Sequence, residues 1–521
     1  MVKWIAESNR PANILTDHEF ISMLTAGRPH ITIPSPSTIT RDVKSSFEAC
    51  HSRISQLLRD HTGRLHFGTD AWTSPNQRAF VVWMVHLEHD GQMLSFLLDI
   101  VGVPESHTGQ TLAKAFHKML VDFGIQNKIL SVVADNVSAN NTQTAALAAL
   151  DNSFEEEARI RCFNHTVSLS AKAFLVPFNT AIGGADPDDL IADVEALNIE
   201  EEDDNDNDIK GGNDEEPDVD DGIDELEALE ELARDNLIID TTSVRSMISK
   251  VRQLSFSIIN SSTIALPAWS KFCATLDLKI RHLPRDVTTR WNSTYDMLIF
   301  ALKYRQAIDG ITADKEFKLH RYELDEEEWT IVNDLSAVLK QFKQATLYFS
   351  QDNASVAAVI PAMDHITKGL DPRTKKPYHP AIVAALKLAR NKMNRYYSLT
   401  DTSIMYCIVM VLHPGMKLDY FQQAAWEADW IEEAEGLVRA EYVSHYENND
   451  FVYPTLHLMA LDFLSIPATS TAVERVFSQG RCCEVSCFSL LSGTETVPSG
   501  RVVHLRSWVR LDSLSLRTLS L

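Results

Sequence analysis

Between Leu65 and Val176, apolar runs and amphipathic stretches alternate in an order that few folds can accommodate. LHFGTDAW, AFVVWMVHLE and MLSFLLDIVGV are three apolar runs, separated by the turn-forming stretches PNQR and HDGQ. They read as three consecutive strands, antiparallel because the connections are short. A helix then opens at His107-Thr-Gly. Thr108 is its expected N-cap, Leu112, Phe116, Met119, Leu120 and Phe123 share one face, and Gly124 is its stop. KILSVVAD is a fourth strand, apolar throughout and so expected to be buried on both faces. Ser138–Leu150 reads as a helix, ARIRCFNH as a fifth strand and Thr166–Val176 as a closing helix.

The order β-β-β-α-β-α-β-α predicts an α/β fold of RNase H-like type, a mixed five-stranded sheet with flanking helices. Pattern alone leaves other mixed α/β folds open. Residues 1–60 read as a helical segment, with helices at Asp17–Thr25 and Arg41–Arg59 around the Pro-rich turn ITIPSPSTIT. Residues 61–180 hold the first part of the sheet domain. Residues 181–240 form an acidic loop, read as largely disordered, although its end, GIDELEALEELARD, has helical Leu spacing. Residues 241–460 read as a large all-helical insertion. The sheet domain is expected to end within 461–481, and 482–521 forms an atypical tail.

Net charge matters only by location. Asp186–Asp235 contains 24 acidic residues against Lys210 and Arg234, so the chain outside it carries about −2 of the total −24. An acidic loop of this kind does not argue against a nucleic-acid partner, whereas an acidic surface throughout would. No run reaches the roughly 18 apolar residues that span a bilayer. The opening MVKWIAESNR lacks the apolar core of a secretory signal. Seven cysteines, four in the last third, form no spaced disulfide framework, which points to a reducing intracellular compartment.

Two carboxylates stand out. Asp70 ends the first predicted strand and Asp135 the fourth, and in an RNase H-like sheet those strands are neighbours. Like charges at adjacent strand ends are costly unless a cation neutralises them. Mg²⁺ (or Mn²⁺) prefers such oxygen ligands and can serve phosphodiester cleavage. The alternative is that each Asp caps a turn. A third acid, Glu474, lies in SIPATSTAVERVFS. On a helix Val473, Val476 and Phe477 would share one side, and Glu474 and Ser478 another. The alternative for Glu474 is a surface acid paired with a nearby Arg.

Five motifs stand in a fixed order: TDAWTS (Thr69–Ser74), ADNVSAN (Ala134–Asn140), RCFNH (Arg161–His165), TRWNSTYDML (Thr289–Leu298) and PATSTAVERVFS (Pro467–Ser478). Together they resemble the hAT superfamily of DNA transposases, most nearly the fungal type with an acidic loop after the fifth strand. The resemblance implies a DDE triad at Asp70, Asp135 and Glu474 and a metal-dependent transposase. It also implies DNA as partner, a dimer or higher oligomer through a C-terminal region, and a nuclear location. It implies that Cys162 and His165 lie beside the active site and help to place DNA. Arg290 and Trp291 would then hold a phosphate and stack on an extruded base. For Cys162 and His165, zinc binding and a plain buried Cys with a hydrogen-bonded His remain alternatives. For Trp291 the alternative is packing inside the helical insertion.

The chain also departs from the family pattern. VLHPGMKLDYF resembles the family's LDPRFKL stretch, with His413 in place of Asp and Gly415 in place of Arg. Cys50 alone precedes Cys162 among the cysteines, so the BED-type zinc finger usual at the start of such proteins is not seen. The Ser/Leu-rich tail after Ser478 suggests a shifted frame or a retained intron. A truncated or degenerate copy is therefore expected, with catalytic silence as the second reading. Finally, Lys375, Lys376, Lys387, Arg390, Lys392 and Arg395, near Tyr396 and Tyr397, form a basic cluster. It reads either as a track for a DNA backbone or as a solvated helix face.

Overall fold

A computed structural model describes residues 1–8, 10–28, 30–73, 79–103, 108–179, 224–351, 354–373, 378–447 and 455–475. The acidic loop up to residue 223, the tail 482–521 with its cysteines, Lys375, Lys376, Val476, Phe477 and Ser478 lie outside the described residues. The chain divides into two compact units. One takes Met1–Asn164, Phe349–Val359 and Thr400–Leu521, and the other His165–Tyr348 and Ile360–Leu399.

The first unit opens with helices α1 (Val2–Glu7), α2 (His18–Thr25) and α3 (Pro36–Asp60). Asp17 caps α2 by accepting from the Phe20 amide. Ser35 caps α3 with Pro36 in its first turn, so α3 starts inside the stretch read as a turn. The strands follow as β1 (Leu65–Thr73), β2 (Ala79–His89) and β3 (Gln92–Gly102). Next come α4 (Gly109–Phe123), β4 (Ile129–Ala134), α5 (Ser138–Ala148) and β5 (Arg159–Arg161). The sheet order is β3-β2-β1-β4-β5. β1 and β2, and β2 and β3, pair antiparallel, while β1–β4 and β4–β5 pair parallel. This is the expected RNase H-like mixed sheet, with the first and fourth strands adjacent.

The two sheet faces are covered differently. Phe116 of α4 packs on Phe67 and Trp83, with ring centroids 5.4 and 5.3 Å apart. Thr108 caps α4, and Gly124 ends it in the left-handed region at φ 71°, as the sequence indicates. On the opposite face Phe80, Val82, Met84, Leu97 and Ile100 cluster with Val473, which comes from far along the chain. Each such buried apolar side chain contributes about 1.5–3 kcal/mol.

The fifth strand is only three residues long, and α6 (Phe163–Asn179) begins at once, so Cys162 follows the strand and His165 lies in the helix. After α6 the second unit is helical: α7 (Glu231–Asp240), α8 (Thr242–Asn260), α9 (Ala265–Thr275), α10 (Trp291–Lys303) and α11 (Arg305–Ala313). It continues with α12 (Glu326–Phe349), α13 (Val359–Gly369) and α14 (Pro380–Thr400). The remaining helices are α15 (Ile404–Leu412), α16 (Lys417–Gln423), α17 (Ala428–His445) and α18 (Thr455–Leu464). These last four group with the sheet, so the helices read as one insertion over 241–460 are shared between the units. No helix among the described residues is long and apolar enough to cross a membrane.

Candidate active site

Gly68 of β1 pairs with Val133 of β4, the last pair of that parallel ladder. Asp70 lies two residues further along β1, and Asp135 two residues beyond Val133, just past the end of β4. Alternation along the strands puts Asp70 on the face of Gly68 and His66, and Asp135 on the face of Ser131. His66 Nδ1 and Ser131 Oγ are 3.0 Å apart, so these faces are one and the same. Asp70 does not end β1, which runs on to Thr73 against β2. It sits where the β4 pairing stops.

Local hydrogen bonds orient both acids. Asp70 Oδ1 accepts from the Ala71 amide at 2.8 Å. Asp135 Oδ1 accepts from the Val137 amide at 3.2 Å and from Asn140 Nδ2. Asp135 therefore does cap the turn into α5, one of the alternatives that the sequence leaves open. Arg159 of β5 donates to the Asp135 carbonyl oxygen at 3.0 Å.

The segment that carries Glu474 comes to the same face of the sheet through Val473. Residues 471–475 form a helical turn, with Val473 fully buried and Glu474 exposed, the division the sequence implies. A Cβ placed on Gly68 would lie 3.3 Å from Val473 Cγ2, so the turn lies close on β1 and a larger residue there would make Val473 shift. The three acids are nevertheless not gathered into one cage. Among the described residues, no three His, Cys, Asp or Glu side chains converge in a way that would hold a metal ion. Asp70 and Asp135 offer oxygen donors of the kind that a divalent cation takes.

The RCFNH motif holds the Glu474 segment in place. The Cys162 amide donates to the Ala134 carbonyl at 2.8 Å, and its buried Sγ accepts from the Ser470 amide at 3.4 Å. The Phe163 amide donates to Ala468 O at 3.0 Å. Asn164 Nδ2 donates to Thr471 Oγ1 at 2.8 Å and to Ser350 Oγ at 3.1 Å. Residues 354–356 add a bridge, Ser355 to Pro467, with amide bonds to Ile466 and from Ala468. Sequence reasoning missed Asn164, since nothing marks a buried amide whose partner lies some 300 residues on. His165 is half-buried on α6 and belongs to the second unit.

In the second unit Trp291 does not offer an open stacking face. It is the first residue of α10, is 3% exposed, and meets Phe342 edge-on with centroids 6.3 Å apart. The packing alternative is the one realised. Arg290, the N-cap, is exposed. The adjacent PRD stretch is structural. Asp286, whose side chain is fully buried, takes Arg252 Nε at 2.6 Å, and its Oδ1 accepts from Ser293 and Thr294 in the first turn of α10. The basic cluster on α14 is no continuous track. Lys392 is buried, and both it and Arg395 lie 3.9 Å from Glu225, while Arg390 lies 3.6 Å from Asp371.

Sheet topology and the family comparison define an RNase H-like protein. A family model described as the ZBED1 RNase-like domain matches residues 68–162, and its helical companion, the ZBED1 RNase-like helical domain, matches 227–338. The hAT family C-terminal dimerisation region matches 419–491, from α16 to ten residues beyond 481. The chain belongs to the hAT transposase superfamily. A Talaromyces stipitatus protein named as the transcriptional regulator tpeD is 25% identical over 460 residues, 86% of this chain and 47% of that protein. A Zea mays protein named as an AC transposase is 23% identical over 349 residues, 67% of this chain and 36% of the relative. The Oryza sativa zinc finger BED domain-containing protein RICESLEEPER 1 is 19% identical over 470 residues, 88% of this chain and 55% of the relative. The chain thus spans about half or less of the length of these curated relatives.

Proposed function

We propose that the chain acts on DNA as a hAT-type transposase, cleaving and rejoining phosphodiester bonds with Asp70, Asp135 and Glu474 as its DDE carboxylates. The observation that carries this reading is that Asp70 and Asp135 each follow the last pair of the parallel β1–β4 ladder by two residues. Those two side chains would hold Mg²⁺ or Mn²⁺, which their hard oxygens suit. When bound there, such a cation supplies Lewis-acid help to an attacking oxygen and neutralises charge on the phosphodiester. Glu474 follows Val473, which packs on that face, and is the acid whose approach would complete the set. Exposed Arg290 is suited to a DNA phosphate. Self-association through the region matched at 419–491, and a nuclear site of action, belong to the same reading.

A second reading has its own support: a catalytically silent relative that only binds DNA or dimerises. No third ligand joins Asp70 and Asp135 among the described residues, and one relative carries a regulator's name. Labelled DNA bearing candidate terminal inverted repeats, incubated with the full chain and Mg²⁺ or Mn²⁺, separates the two. Metal-dependent nicking that disappears in Asp135→Asn and falls in Glu474→Gln supports the enzyme. DNA binding with no nicking under either metal removes the first reading in favour of the second.

A further inference from the structure

The turn leaving β4 contains one side chain whose placement neither capping nor core packing explains. Asn140 is buried in the first turn of α5, five residues after Asp135. Its amide nitrogen donates to Asp135 Oδ1, the same oxygen that takes the Val137 amide. Two donors on one carboxylate oxygen fix the rotation of the group. They leave Oδ2, which accepts no hydrogen bond among the described residues, as the second oxygen of the group. The backbone of Asp135 is fixed as well, since Arg159 Nη2 holds its carbonyl at 3.0 Å and the same guanidinium donates to Asn141 Oδ1. The support under Asn140 is itself rigid. α5 lies so close to α4 that a Cβ on Gly109 would meet the Gln143 amide nitrogen at 2.5 Å and the Ala139 carbonyl oxygen at 2.6 Å.

We propose that Asn140 is a positioning residue for Asp135, holding one carboxylate oxygen so that the other is presented for a divalent cation beside Asp70. The inference rests on the reading of Asp135 as a cation ligand. A partner that orients a ligating carboxylate typically changes metal affinity 10- to 100-fold when removed.

The test is direct Mn²⁺ binding by titration calorimetry on the full chain, with thermal unfolding measured in chelator. Asn140→Ala removes the donor. Asn140→Leu keeps the approximate size of the side chain and removes the donor, so it stands in where the alanine variant fails to fold. The expected result is Mn²⁺ affinity weaker by about 10- to 100-fold in either folded variant, with a metal-free unfolding midpoint near that of the parent. Unchanged affinity in the Asn140 variants, with affinity lost in Asp135→Asn, overturns the positioning role and leaves the cation site standing. Affinity in the parent no greater than in Asp135→Asn removes the cation site, and the positioning role with it.

Discussion

Asp462 of α18 carries a titration that no motif announces. Its Oδ1 accepts from the Arg64 amide at 2.9 Å and its Oδ2 from the Tyr446 hydroxyl at 2.7 Å. Burial outweighs those two hydrogen bonds and raises its pKa from 3.8 to about 6. A raised acid keeps its proton in the folded chain while the unfolded chain has lost it. Its contribution is therefore whole below pH 4 and is lost as pH rises to about 6. The loss is roughly 3 kcal/mol. Urea unfolding at pH 4, 5, 6 and 7 should show the parent losing about that much relative to Asp462→Asn across the window. Parallel pH profiles for the two proteins would refute this. The neighbouring His66 is held neutral by burial, its pKa lowered to about 3, between Ser131 Oγ and Ser465 Oγ. It links β1 to β4 and to Ser465, just after α18, as an uncharged hydrogen-bonding group.

At the scale of elements, close approach matters more than propensity. Gly109 starts α4 where α5 crosses it, and the atoms that a methyl group would strike there include backbone. Backbone cannot yield as a side-chain tip does, so Gly109→Ala should cost about 1–3 kcal/mol or more, read as a lower thermal midpoint. A midpoint equal to that of the parent would mean that the helices separate freely. The same scale explains what the sequence disclosed. β1 to β4 were legible because their apolar runs end in Pro, Gly and Asp, and α4 because Thr108 and Gly124 mark its ends. The adjacency of β1 and β4, the strands that Asp70 and Asp135 belong to or follow, was legible from strand order alone. The start of α6 at Phe163 was hidden, because β5 yields to a helix without a breaker. Trp291 was ambiguous for another reason: Trp serves equally in a core and on a base, and only Phe342, about 50 residues away, decides between them. The basic stretch of α14 misled because Glu225, its partner, lies in a segment that composition marks as loop.

On the scale of the whole molecule, α17 and α18 carry large apolar side chains at the surface. Trp430 is 55% exposed, Val443 53% and Leu456 49%, all within the region matched to hAT dimerisation. If these side chains bury one another between copies, Trp430→Ala combined with Val443→Ser should shift sedimentation toward monomer and leave the far-UV spectrum unchanged. An unaltered sedimentation profile would exclude this patch from self-association. The order of synthesis adds a constraint. All five strands emerge from the ribosome within the first 161 residues, yet the patch formed by Phe80, Val82, Met84, Leu97 and Ile100 waits for Val473. Meanwhile the nascent sheet shows water a sticky surface through the translation of some 300 further codons. A message cut short before that point would therefore yield not a smaller working protein but an aggregation-prone fragment.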